Sequence, residues 1–327
     1  MKKAKIKNIV YYLPETVVSN YDLAKNFSTW DAEKIKDKVG IEIRHIADSS
    51  ECASDLAEKA AKKLFKQKIC VPEEIEFILF CTQSPDYFLP TTACLLQERL
   101  GIPTTAGALD YNLGCSGYVY GLSLAKGLIE TGQVNNVLLL TAETYSKYLD
   151  DDDISTRSIF GDGASATFLK AEDSESDLIG PFVFGTDGSG KNDLIVANGG
   201  LRNFEQAGCL PKKMLMNGPA IFSFTIRSVP DAVNKLLAKC NLSIADIDHF
   251  IFHQANEFML NHLRDKLNIP REKFCIDLKD YGNTVSSTIP IALSNLISNK
   301  VVSSSGARVI LVGFGVGYSW SSVLLHI

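Results

Sequence analysis

Cys115 lies in Asn112-Leu113-Gly114-Cys115-Ser116-Gly117, between a strand-like segment, AGALDYN, and a run with one apolar face, SGYVYGLSLAKGLIETG at 116–132. A thiol at a strand-to-helix turn faces the free N–H groups of the first helical turn and the positive end of the helix dipole. Both favour the thiolate, so the placement predicts a lowered thiol pKa and a nucleophilic sulfur. The flanking glycines permit a sharp turn and close approach of a substrate. His253 ends the apolar run of IDHFIFHQAN, and Asn283 lies in YGNTVSST, a glycine-containing turn that enters a second helical run. Taken singly, each residue has a structural reading: a buried small hydrophobe for Cys115, a hydrogen-bonded strand end for His253, a helix cap for Asn283.

The elements that carry these residues repeat along the chain. IEFILFCTQS from Ile75 is matched by IDHFIFHQAN from Ile247, and VLLLTAET from Val137 by VILVGFGV from Val309, each 172 positions on. LGIP at Leu100 is echoed by LNIP at Leu267, and Asp110-Tyr111-Asn112 by Asp280-Tyr281-Gly282. Four correspondences in one order imply duplication of an α/β unit. His253 then aligns with Cys81, and the Asn283 segment with the Cys115 segment. Equivalent strand ends and turns of a pseudo-twofold fold converge, so thiol, imidazole and amide become one constellation.

Within each unit, wholly apolar strands alternate with helices, which implies sheets covered on both faces. The reading is α/β: two similar mixed sheets around a shared layer of buried helices, with halves 1–172 and 173–327 meeting in the acidic stretch AEDSESD and packing as one body. Residues 186–219, rich in Gly, Asn and Lys, read as loops over a surface or a site mouth.

Composition narrows the class. Of 327 residues, 46% are hydrophobic and 22% charged, the profile of a globular protein with a large core. A net charge of −5 gives no general attraction to nucleic acid or anionic membrane. No apolar run reaches the roughly 18 residues of a membrane span, and the opening MKKAKIKNIVYYLPE reads as a strand rather than a signal peptide. Eight cysteines (Cys52, Cys70, Cys81, Cys94, Cys115, Cys209, Cys240 and Cys275) form no CxxC pair, which gives no support to a metal centre and fits free thiols in a reducing cytoplasm.

Cys, His and Asn together have two chemical readings. In a papain-like hydrolase the histidine deprotonates the cysteine and the asparagine orients the ring, but such a cysteine stands near the mature N-terminus in a different local sequence. In the other, cysteine takes an acyl group, and histidine and asparagine donate hydrogen bonds to a thioester oxygen as an enolate develops.

The sequence resembles the β-ketoacyl-[acyl carrier protein] synthase III family of the thiolase superfamily along essentially its whole length. The likeness rests on YYLPETVVSNYDLA, GIEIRHIAD (40–48), NLGCSGYVYGLSLA around Cys115, IFGDGASATFL (159–169), FHQAN (252–256), YGNTVSSTIPIAL (281–293) and GFGVGYSWSSVLL (313–325). The resemblance implies a duplicated thiolase fold with five layers, α-β-α-β-α, a homodimer, and no cofactor beyond acyl-CoA and malonyl thioester substrates. It also implies that Cys115 is acylated, that His253 and Asn283 stabilise the enolate left by loss of CO2, and that the backbone N–H groups of Cys115 and Val316 form the oxyanion hole. Asp162 in FGDGA is expected to brace loops.

Departures from the family pattern matter equally. Thiolases carry a second cysteine in the C-terminal glycine turn, and GFGVGYSW has none; hydroxymethylglutaryl-CoA synthases need a glutamate where Gln83 stands. The tryptophan and arginine that sandwich CoA's adenine are matched by Lys34 and Lys38, and the carrier-docking arginine after HQAN by Glu257 and Phe258, with Arg264 and Lys266 nearby. Leu89 before Pro90 takes the place of the residue that closes the partner subunit's acyl pocket. These differences imply a specialised condensing enzyme. The alternatives are a Cys-dependent acyltransferase to an oxygen or nitrogen acceptor and a non-catalytic partner subunit.

Overall fold

The computed structural model describes residues 1–202, 213–299 and 306–327, so Cys209 and part of the 186–219 stretch lie outside the described residues. The first half runs β1 (Lys2–Tyr12), β2 (Thr16–Ser19), α1 (Asn20–Ala24), α2 (Ala32–Val39), β3 (Ile43–Ile46), α3 (Ala53–Lys66), β4 (Phe77–Cys81), α4 (Thr92–Arg99), β5 (Gly107–Tyr111), α5 (Gly117–Glu130), β6 (Asn136–Glu143), α6 (Ile154–Arg157) and β7 (Gly163–Asp173). The second runs β8 (Ile179–Thr186), β9 (Leu194–Val196), β10 (Met214–Met216), α7 (Gly218–Cys240), β11 (His249–Phe252), α8 (Glu257–Lys266), β12 (Phe274–Cys275), α9 (Thr288–Ser298), β13 (Arg308–Gly315) and β14 (Ser319–His326).

Two five-stranded sheets result, β5-β4-β6-β7-β1 and β12-β11-β13-β14-β8. Their directions match strand for strand: β4 is parallel to β5 and β6, with β7 and β1 following antiparallel, and β11 is parallel to β12 and β13, with β14 and β8 following antiparallel. The register repeats as well. Phe77 faces Val137 between β4 and β6, and His249 faces Val309 between β11 and β13. The duplication read from sequence is thus a property of the sheets.

Layering follows from strand alternation, in which successive side chains leave opposite faces. On β4, Ile78 and Phe80 point to an outer core with Leu56, Ala60 and Leu64 of α3 and Leu96 of α4. Leu79, between them, points inward to Leu122 of α5 and Ile289 and Leu293 of α9, a core shared with Ile251 and Leu311 of the second sheet. On the far side Phe250 and Phe252 pack with Val233 and Leu236 of α7 and Leu260 and Leu263 of α8. The order is the expected α-β-α-β-α. All eight positions of β6 are buried, as a strand with two covered faces requires.

Because α5 and α9 form one layer between both sheets, their amino ends approach each other, and each follows the turn that carries Cys115 or Asn283. Gly117, the first residue of α5, leaves no room for a side chain, since a Cβ there would lie 2.2 Å from Cys81 Sγ. Leu293→Ala in this shared layer is expected to cost about 2–5 kcal/mol. It should lower the midpoint of a chemical denaturation curve while leaving one transition for both halves.

Candidate active site

Cys115, His253 and Asn283 line one cavity of about 330 Å³, walled by Ile159, Phe160, Phe314 and Val316. Each is delivered by a different element: Cys115 by the turn into α5, His253 by the residue after β11, Asn283 by the turn before α9. The Cys115 turn is pressed against the hairpin of β13 and β14. A Cβ on Gly315 would lie 3.1 Å from Cys115 Sγ, and one on Gly313 would lie 2.7 Å from Ser116 Cα. Ser116 Oγ is 2.7 Å from Ser319 Oγ, and Ser321 Oγ donates to Ser116 O, which ties the turn to β14.

Asn283 is held by backbone on both sides, its N–H donating to Ile159 O at 2.8 Å and its carbonyl accepting from Gly161 N at 3.0 Å. Its side-chain Oδ1 accepts from Val285 N at 2.9 Å, leaving Nδ2 3.4 Å from His253 Nε2. His253 Nδ1 lies 2.7 Å from Thr288 Oγ1. Phe314 packs edge-on against the imidazole, ring centroids 5.4 Å apart.

Burial governs the charges here. It holds His253 down to about 3, so the ring is neutral at physiological pH. The Cys115 thiol does not follow the lowering expected from its helix-start position: burial pushes it well up and the Glu143 carboxyl adds to this, with the residue's own backbone N–H pulling the other way. A helix-start argument is local, whereas desolvation is set by the walls that the whole fold places around the sulfur. Glu143, fully buried at the end of β6, is itself raised to about 8 by burial, against hydrogen bonds from Gln83 N, Ser286 Oγ, Ser84 Oγ and Thr82 Oγ1. The sequence reading missed it; a lone carboxylate closing an otherwise apolar strand, VLLLTAE, was the available signal.

The other singled-out residues fall into two groups. Val316 borders both the thiol cavity and a second chamber of about 710 Å³ lined by Gln83, Asn112, Tyr145, Tyr148 and Leu194. Gln83 bridges that chamber's wall, accepting from Tyr145 Oη and donating Nε2 to Asn112 Oδ1 at 3.0 Å. Asp162 is buried and accepts from Ala47 N and Ser146 N, the bracing role expected of it. Leu89, by contrast, projects outward at 85% exposure and lines neither chamber of its own chain. Phe258 is exposed on the rim of the thiol cavity, stacked on Phe222. Lys34 and Lys38 place their ammonium groups 4.8 and 4.4 Å from the centre of the Trp30 ring, an aromatic the sequence reading passed over.

Among the described residues no group of three or more His, Cys, Asp and Glu is placed to hold a metal ion, and no helix is long and apolar enough to cross a membrane. The charge pattern yields a test. Glu143→Gln removes the negative charge that, once Glu143 ionises above about 8, opposes ionisation of Cys115, so in that alkaline range the alkylation rate of Cys115 by iodoacetamide should rise at a lower pH than in the wild type. An unmoved profile would show that Glu143 does not act on the sulfur.

Comparison with known proteins fits this geometry. The 3-oxoacyl-[acyl-carrier-protein (ACP)] synthase III family matches residues 109–188, and its C-terminal counterpart matches residues 237–327. The β-ketoacyl-[acyl-carrier-protein] synthase III of Lactococcus lactis subsp. lactis is 38% identical over the full length of both chains. A crystal structure of a 3-oxoacyl-(acyl-carrier-protein) synthase III superposes with a TM-score of 0.97 at 50% identity, covering 99% of this chain and all of that one. A 3-oxoacyl-(acyl-carrier protein) synthase from Burkholderia xenovorans gives 0.92 at 35% identity, covering all of this chain and 95% of that one. With thiol, imidazole and amide meeting between duplicated sheets, the chain belongs to the 3-oxoacyl-[acyl-carrier-protein] synthase III family of the thiolase superfamily.

Proposed function

We propose that this condensing enzyme works in two steps at Cys115. First the sulfur attacks an acyl thioester, acyl-CoA in the simplest case. The oxyanion sits between the backbone N–H groups of Cys115 and Val316, and the donor thiol leaves. Two such donors are each worth roughly 3–4 kcal/mol of barrier. The acyl chain extends past Val316 into the chamber walled by Gln83 and Tyr145, closed in a homodimer by Leu89 of the partner subunit.

A malonyl thioester then enters the cavity and loses CO2. The electron pair of the broken C–C bond passes into the thioester as an enolate, whose oxygen accepts hydrogen bonds from His253 and Asn283. The enolate carbon attacks the acyl group, and the Cys115 sulfur departs to give a β-ketoacyl thioester. Apolar walls at Ile159, Phe160 and Phe314 favour this route, because a carboxylate held there loses hydration that its departure as CO2 makes unnecessary. This chemistry needs no cofactor. The acceptor is a carrier protein or CoA; the usual arginine for carrier docking is replaced by Phe258.

The observation that carries this reading is the convergence of Cys115, His253 and Asn283 on one cavity. Intact-mass measurement after incubation with a panel of acyl-CoAs should show one acyl adduct, absent from Cys115→Ala. Adding malonyl thioester should release CO2 and clear the adduct, and Asn283→Ala should slow that release by about 10²-fold. An adduct passed to an oxygen or nitrogen acceptor without CO2 would replace condensation by simple acyl transfer. Turnover of acetyl-CoA with malonyl carrier protein would count against specialisation away from chain initiation.

A further inference from the structure

Four residues beside the thiol form a closed ring of hydrogen bonds, and its direction is fixed by one backbone amide. Val285 has φ +56°, a left-handed conformation that costs a β-branched residue on the order of 1–3 kcal/mol. In that conformation its N–H reaches Asn283 Oδ1 at 2.9 Å, and its carbonyl receives Thr288 Oγ1 at 3.0 Å. An amide side chain has one acceptor, its oxygen. With Oδ1 engaged by Val285, the group 3.4 Å from His253 Nε2 is therefore the Nδ2 donor. Nε2 must then carry the lone pair, and the ring proton sits on Nδ1, which donates across 2.7 Å to Thr288 Oγ1.

The bonds run Asn283 to His253, His253 to Thr288, Thr288 to Val285 and Val285 to Asn283. Each group donates once and accepts once, and all four residues are buried. Reversing the histidine would face one N–H against another and require the Thr288 proton to leave Val285 O. In a buried site both are costly.

We propose that Thr288 is a positioning residue that holds His253 in its Nδ1–H form, so that the proton exchanged with Cys115 comes and goes only at Nε2. This rests on Cys115 being the acyl acceptor. In acyl transfer the Cys115 S–H bond breaks as the S–C bond forms, and its proton moves to Nε2. The donor's C–S bond breaks, and the departing thiolate carries off the proton from Nε2, which returns the ring to its neutral Nδ1–H form. The malonyl carboxylate then brings a negative charge into the cavity and Nε2 takes a proton from water, so the ring keeps its Nδ1–H on Thr288 and presents an Nε2–H to the cavity. When CO2 leaves the malonyl thioester, that Nε2–H and the second amide hydrogen of Asn283 meet the enolate oxygen. The new C–C bond forms, the acyl C–S bond breaks, and the Cys115 sulfur recovers the proton from Nε2. One group thus serves as base in the first step and donor in the second without changing tautomer.

Thr288→Val keeps the branched shape but leaves Nδ1–H without an acceptor, which drives the neutral ring to its Nε2–H form. Acyl transfer to Cys115 should then slow by roughly a hundredfold, the lower end of what a positioned base supplies. Decarboxylation of a malonyl thioester without acyl donor should hold or rise, because the Nε2–H donor is already present. Thr288→Ser should restore acyl transfer. Equal loss of both activities in Thr288→Val, or no rescue by serine, would overturn the proposal. Long-range ¹H–¹⁵N spectra of histidine-labelled wild-type enzyme read the ring directly, with His253→Gln to assign the resonance. An Nδ1–H pattern is expected, and an Nε2–H pattern would overturn the proposal even if Cys115 is acylated. Failure of every thioester to label wild-type Cys115 would instead sink the two-step reading.

Discussion

The site depends on the segment from Asn283 to Thr288 being nailed, in a fixed backbone shape, to the other half of the molecule. Ser287 Oγ lies 2.8 Å from Thr141 Oγ1 on β6 and 3.3 Å from Gly163 O on β7. Thr141 Oγ1 lies 2.7 Å from Ser165 Oγ, and Ser286 Oγ donates to Glu143 at 3.0 Å. Ser286 and Ser287 thus fasten a turn of the second half into the sheet of the first. Most buried hydroxyls are partnered, and those of Ser286 and Ser287 find their partners across the boundary between the halves. The same fastening holds Val285 in its strained conformation, since a costly φ persists only where the surroundings over-determine it. The ring through Asn283, His253 and Thr288 is a consequence.

Charge in this site is managed by exclusion of water. His253 is held neutral, the thiol is held protonated, and Glu143 stands near 8, all by burial. No group in that trio is ionised by a fixed opposite charge, so charges arise when a substrate brings them or when a proton passes between neighbours. A malonyl carboxylate would enter a cavity whose walls are phenyl rings and aliphatic side chains, where its hydration is not replaced. Such a site gains more from stabilising charge that develops during reaction than from binding charge at rest.

Much of the fold was legible because a strand buried on both faces must be apolar throughout. That constraint kept IEFILF and IDHFIF, or VLLL and VILV, alike through duplication, and the 172-residue offset reappears as sheet register. Cys115, His253 and Asn283 were legible for a related reason: equivalent positions of a repeat must converge once the sheets pack. Glu143 and Thr288 were not, because what defines them is a set of partners dispersed in sequence, Thr82, Gln83, Ser84 and Ser286 for one, His253 and Val285 for the other. The direction of the thiol's shift was misread for the same cause. A helix start is visible in a dozen residues, whereas burial of the sulfur is contributed by Tyr145, Phe160, Leu194, Met214 and Val285 together.

Glycine sets how close the halves come. Gly313 and Gly315 let the end of β13 touch the backbone and sulfur of the Cys115 turn, and Gly114 leaves room for the Gln83 amide, which a Cβ would meet at 2.4 Å. The Cys115 turn is therefore wedged between a glycine-bearing strand end of the second half and the Gln83 side chain of the first. A thiol so confined can move little, and Val316 beside it borders both chambers. Close backbone approach thus fixes where the sulfur lies, and the polar ring beside it fixes how the His253 imidazole is held. Both follow from packing two copies of one α/β unit against a common pair of helices.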